Sequence, residues 1–275
     1  MTLRCAALAL FCLGATPVLA GDPTIVQPEP VVMTPAPVAL APRPVLLFSL
    51  SGGVTSTPEY FGSDDVNAAP YLGVKFHFLR LPNGREVGSP DPWQGSEGFG
   101  IHGSARYIGE RDSSDYSALR GADDVDATLE LGGGIGYTLR NFDVFADVRR
   151  GFGGHEGWVA ELGADYILRP TDRLRLKMGP RLLWGDEEYT DTYFGVNAAS
   201  VAPGRPLYEA DGGLVSAGLE FGARYQLSDV WGLEGAVTYD VLQNDAADSP
   251  LVDGSGEKDQ WGIRLGVTRV FQIGG

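Results

Sequence analysis

Cysteine is nearly missing from this chain: the only two, Cys5 and Cys12, lie within the first twenty residues. Residues 1–20 have the form of a cleaved export signal. Arg4 gives a positive start, Cys5 to Leu13 an apolar stretch too short to span a bilayer, and Val18-Leu19-Ala20 a small-residue cleavage site. The exported chain would then hold no cysteine, which excludes a disulfide-stapled scaffold. Long hydrophobic runs are also lacking. Nothing after the leader approaches the roughly 18–20 apolar residues of a membrane helix, so a helical membrane protein is excluded. Positive charge is scarce, with 21 Lys and Arg against 36 Asp and Glu, a formal net charge of −15. Nucleic-acid binding needs a basic footprint, and no nucleic-acid partner is expected. Gly-x-Ser-x-Gly, zinc-ligand clusters and phosphate-binding loops are absent from the sequence. Neither a cofactor nor a resident metal is expected.

What the chain does have begins with proline. Residues 21–44 (GDPTIVQPEPVVMTPAPVALAPRP) show no periodicity, and their prolines favour an extended, semi-rigid tether. From Val45 the period becomes two, the mark of strands. In RLRLKMGPRLLW, the residues Leu174, Leu176, Met178, Leu182 and Trp184 alternate with Arg173, Arg175, Lys177 and Arg181. In VDATLELGGGIGY, the residues Val125, Ala127, Leu129, Leu131, Ile135 and Tyr137 share one face, opposite Asp126, Thr128 and Glu130. GWVAELGADY, LVSAGLEFGARYQ and WGIRLGVTRVF repeat the pattern, and no comparable run has helical period.

Such segments number about ten, near 46–55, 70–79, 98–108, 125–138, 141–149, 157–168, 173–184, 213–226, 231–241 and 260–272. Several exceed the roughly 9–11 residues that a tilted strand needs to cross a bilayer, whereas strands in soluble sheets are typically about 5–6. Short connections (Arg140-Asn141, Arg169 to Asp172, Leu227 to Asp229) alternate with long ones, as in an outer-membrane barrel with short periplasmic turns. LPNGREVGSPDPWQGSEG is too long for its periplasmic side, so either the register slips there or the chain makes an excursion. Tyr107, Tyr137, Tyr166, Trp184, Tyr225, Trp231 and Tyr239 fall near strand ends, where amphipathic rings suit a membrane interface. The sequence therefore reads as an all-β protein. A signal peptide (1–20) and a Pro-rich periplasmic tether (21–44) precede an antiparallel transmembrane β-barrel of about ten strands (45–275), in contact with outer-membrane lipid and lipopolysaccharide.

Three stretches resemble the MltA-interacting protein (MipA/OmpV) family. PEYFGSDD (Tyr60, Phe61, Gly62, Asp64) is similar to its first outer loop. DTYFGVNAASVAPGRPLYEADGG (Tyr193, Phe194, Gly195, Val196, Ser200, Tyr208, Gly212) resembles its most recognisable stretch, and NDAADSPLV (Ser249, Pro250) its Ser-Pro-Leu loop. The chain departs from the family in a longer Pro-rich segment and in ending FQIGG, so that Phe271 is not a terminal aromatic. The resemblance implies an outer-membrane barrel, a scaffold for a lytic transglycosylase and a murein synthase; other members are treated as porin-like.

The polar faces carry nearly balanced charge. A network of Glu161, Asp165, Arg173, Arg175, Lys177, Arg181, Glu220 and Arg224 is expected across strands six to eight, closing the lumen, because unpaired ions in a narrow interior are costly. The alternative is a narrow porin-like channel. The acidic excess falls in the long connections, including Asp64, Asp115, Asp124, Glu187, Glu188, Asp248 and Asp253. None matches a calcium-loop spacing, and a solvated rim is expected. A second alternative is a barrel hydrolase. His102 and Ser104 share a strand face with Glu130 on the next strand, the residue types of an activated nucleophile. His-x-Ser arises readily by chance, and the expectation is a protein without enzymatic activity.

Overall fold

The computed structural model describes residues 45–95, 97–116, 119, 122–197, 205–253 and 256–274. Residues 1–20 and 21–44, expected above to be an export signal and a tether, and Ser200 lie outside them. Each of the ten alternating segments forms a strand: β1 (Leu46–Pro58), β2 (Val66–Arg80), β4 (Gly98–Ile108), β5 (Thr128–Thr138), β6 (Phe142–Gly153), β7 (Trp158–Thr171), β8 (Leu174–Gly185), β9 (Gly213–Gln226), β10 (Trp231–Leu242) and β11 (Asp259–Ile273). A three-residue strand, β3 (Glu86–Gly88), brings the sheet to eleven. Neighbours pair antiparallel in the order β3-β2-β1-β11-β10-β9-β8-β7-β6-β5-β4, an almost closed barrel. Its two edges are β2 with β3 and β4. Pro70 sits on β2, an edge strand, where a missing ladder donor is tolerated.

The packing is inverted relative to a water-soluble protein. Outward-facing Leu72, Ile101 and Phe76 are 85%, 71% and 70% exposed, and they continue around the barrel as Leu131, Leu219, Ile263 and Leu265. The buried positions in the strands include Glu130, Asp147, Arg149, Asp165 and Arg181. A contiguous apolar exterior of this kind is an aggregation liability in water and a solvation match in lipid, which is how transmembrane barrels are patterned. Strands of 11 to 15 residues are long enough to cross with tilt.

One alternative left open by the sequence is decided, and two features depart from the sequence reading. The long connection after β2 is an excursion and not a register slip. It turns back at Gly84 (φ +81°) with Leu81 N–H donating to the Arg85 carbonyl, pairs as β3 against Phe78–Arg80, and returns to β4 where expected. Two short helices stand where no helical period was visible, α1 (Glu187–Phe194) and α2 (Asn244–Asp248). At eight and five residues they are too short to show a period, and neither is long enough to cross a membrane. Val125, placed on an outward face by alternation, lies before β5 and is buried, paired with Arg111 in an isolated bridge.

Candidate functional site

The three family-like loops converge on one end of the barrel, the end with the long connections, and build a lid. α1 is started by Asp186, whose carboxylate accepts from Tyr189 N–H at 3.0 Å, with Glu187 and Glu188 in the first turn where the helix dipole favours acids. Tyr189, Tyr193 and Phe194 face inward from it and pack with Ala246 and Ala247 of α2, Val215, Leu242 and Val252. Phe61 of the first loop closes on the same cluster, its ring 4.9 Å from that of Tyr193. Tyr60 packs beside it with Leu119, Val196 and Leu251.

Polar contacts lock these loops together. Ser249 Oγ, fully buried, donates to the Phe194 carbonyl at 2.6 Å and accepts from Leu251 N–H, with Pro250 between them half-buried. Val196 and Tyr208 form an isolated bridge, and the Tyr208 hydroxyl donates to the Asp245 carbonyl at 2.9 Å. Burial first, then the carboxylates of Asp245, Asp248 and Asp211, push the Tyr208 phenol up to about 12. Burial likewise raises those of Tyr189 and Tyr193. Gly62 adopts φ +91°, and a Cβ there would meet Val252 Cγ2 at 2.5 Å. Gly195 ends α1, and a Cβ on Gly212 would meet Glu187 N at 2.7 Å. Asp64 is exposed.

Below the lid lie two ion clusters. In the first, Arg149 donates to Glu130 at 2.8 Å, to Glu161 at 3.0 Å and to Ser104 at 3.1 Å, drawing in β4, β5, β6 and β7. In the second, Arg181 reaches Asp165 at 2.8 Å and Glu220 at 3.3 Å, and Lys177 reaches Glu220 at 2.6 Å. Glu161 thus pairs with Arg149 on β6 instead of the basic ladder of β8. Arg173 and Arg175 belong to neither cluster. They stand at the opposite end of the barrel with Arg224, which is covered by the excursion: the Trp93 ring lies 4.4 Å from its guanidinium, and its Nη1 donates to the Pro92 carbonyl at 3.1 Å.

His102, Ser104 and Glu130 are close together but not in catalytic order. His102 Nε2 lies 2.6 Å from Asp147 Oδ1, and Ser104 Oγ donates to Asp147 Oδ2 at 2.8 Å. A carboxylate therefore sits between histidine and serine, where nucleophile activation requires the histidine. Glu130 is held by Arg149 through Oε2, and its Oε1 lies 3.4 Å from His155 Nε2.

Several residues at this site escape a reading by alternation. Arg111, buried in the loop after β4, donates from Nη1 to the Tyr193 carbonyl at 2.8 Å, meeting the last turn of α1 where cations are favoured. His155, between β6 and β7, is buried edge-on against Tyr189 and Tyr193. Asp186 caps α1 and also accepts from Trp158 N–H at 2.8 Å. The Asp-Glu-Glu run before Tyr189 is a helix-start pattern, although Glu187 and Glu188 are read above only as loop acids; Arg111 and His155 carry no local signal.

A family model described as MltA-interacting protein MipA matches residues 50–271. Among solved structures, the outer membrane protein OprG from Pseudomonas aeruginosa matches at 12% identity, covering 84% of this chain and 99% of that one, with a TM-score of 0.31. The N-terminal β-barrel domain of Pseudomonas aeruginosa OprF matches at 17% identity over 64% of this chain and 98% of that one, TM-score 0.31. The CymD monoaromatic hydrocarbon channel matches at 11% identity over 84% and 90%, TM-score 0.36. These are likenesses of barrel architecture and carry nothing about activity. No curated protein matches the chain.

Proposed function

Because the chain belongs to the MltA-interacting protein (MipA) family, we propose that it is an outer-membrane barrel that serves as an adaptor for murein-remodelling enzymes, a lytic transglycosylase and a murein synthase. The observation that carries the reading is closure. The long-loop end is packed with Phe61, Tyr189, Tyr193 and Phe194, and the middle of the lumen is crossed by ion pairs centred on Arg149 and Arg181. A barrel so filled supports a role in which it presents surfaces and passes no solute. On this reading residues 1–20 direct export, the apolar belt meets lipid and lipopolysaccharide, and the short turns with the Pro-rich segment 21–44 face the periplasm, where the enzymes work.

The test is co-purification of the full chain from crosslinked envelopes. Recovery of a lytic transglycosylase, reduced when residues 21–44 or the β5–β6 and β9–β10 turns are replaced, is expected. A correctly inserted barrel that brings down no murein enzyme would sink the adaptor role. Planar-bilayer recording decides the competing reading: the wild-type protein should be silent, and a steady ion-selective conductance would make it a porin.

A further inference from the structure

The short-turn end of the lumen obeys a different electrostatic rule from its middle. Arg140, Arg169, Arg173, Arg175 and Arg224 line a cavity of about 400 Å³ there. They arrive from the β5–β6 turn, the end of β7, the β7–β8 turn, the start of β8 and the end of β9, so no single local sequence run accounts for them. Arg175 and Arg224 are register partners across β8 and β9, and like charges directly opposite one another destabilise a sheet. Further in, on the same strand as Arg175, Lys177 and Arg181 are both paired with Asp165 and Glu220. None of the five mouth arginines has a carboxylate within ion-pair distance among the described residues, and Arg224 Nε is buried without an acceptor. Glu97 and Asp172 also line the cavity, which leaves guanidiniums in excess in a protein of net charge −15.

We propose that this mouth is a binding site for a small-molecule oxyanion, a carboxylate or phosphate group gripped between Arg175, Arg224 and Arg173. The guanidinium fork matches such groups bidentately, and the anion would separate the two opposed arginines. The cavity falls within the roughly 300–1,000 Å³ of small-molecule sites. Trp93 makes one wall: its ring stacks on Arg224 while its Nε1–H donates to the Asp229 carbonyl at 2.9 Å, so the indole is fixed from both sides. The site is independent of the adaptor role.

The experiment uses the full chain in phosphate-free detergent, titrated calorimetrically with inorganic phosphate and with citrate against matched chloride. Saturable binding is expected, weakened tenfold or more by Arg175→Gln and by Arg173→Gln, less by Arg175→Lys, and unchanged by Arg150→Gln, whose side chain is exposed beside Trp158. A second readout needs no ligand: in anion-free buffer Arg175→Gln should raise the thermal midpoint, because it removes the like charge opposite Arg224, and added phosphate should close the gap by raising wild type. Nanodiscs with and without phosphatidylglycerol separate the sources. Anionic lipid that blocks phosphate binding assigns the site to a headgroup, and lipid that leaves it intact assigns it to a free oxyanion. No saturation by phosphate, citrate or anionic lipid, or equal binding by Arg175→Gln and wild type, would overturn the proposal.

Discussion

Arg149 shows what a single side chain does in this interior. Its guanidinium is 3% exposed and serves Glu130, Glu161 and Ser104 from three neighbouring strands. Removing one partner of a buried pair leaves an uncompensated ion and typically costs about 3–5 kcal/mol. Arg149→Ala should therefore lower the denaturant midpoint of the folded, fast-migrating gel band by an amount in that range. Lys177→Ala should cost far less, because that lysine is 37% exposed and Arg181 still covers both carboxylates. Equal effects would mean that the lumen is hydrated throughout. At the lid, the Tyr208 phenol has an ordinary value of 10.0 and stands at about 12 when folded. Between those limits the unfolded chain loses a proton that the folded chain keeps, so stability must fall as pH rises from 10 towards 12. Phenolate absorbance should lag in wild type and lose that lag in a variant in which Asp245, Asp248 and Asp211 are replaced by asparagine only to the extent that charge, and not burial, holds the proton.

At the scale of elements, the lid depends on a short helix that could not persist alone, since isolated helices below about 12–15 residues are marginal in water. α1 has eight residues, and its start rests on Asp186, which caps Tyr189 N–H and holds Trp158 N–H from the first residue of β7. Loss of such a cap costs about 0.5–2 kcal/mol. Asp186→Ala should loosen α1 and with it the Phe61–Tyr193 contact. The measurement is limited proteolysis of intact cells, where cleavage between 187 and 212 should quicken without loss of the barrel; Asp186→Asn, which keeps the cap, should restore resistance. Unchanged cleavage in the alanine variant would show that the hydrophobic cluster alone holds the lid.

The whole molecule makes a claim about orientation. Most long loops gather at the lidded end, while the short turns and the excursion between β2 and β4 lie at the arginine-lined end; in barrels of this type these are the outer and periplasmic sides. Tags inserted at Asp115 or Asp253 should be reached by antibody on intact cells, and tags after Arg140 or Asp229 only after the outer membrane is opened. The reverse result would invert the topology and move the proposed adaptor surface to the cell exterior.

Alternation alone determined the ten long strands. A period of two is written in contiguous residues, so β8 could be read from Leu174, Leu176 and Met178 facing Arg175 and Lys177, and the apolar belt followed from the same pattern. Tertiary structure decided everything that joins distant segments. Nothing local in Phe61, Tyr193 and Ser249 says that they share one cluster, because their convergence is set by barrel closure and by which strands their loops connect. Nothing local separates Lys177, which finds Asp165 and Glu220, from Arg175, which faces Arg224. Both lie on one inward face at the same spacing, and only the register of β8 against β7 and β9 fixes whether a charge meets its opposite, its like, or an empty cavity.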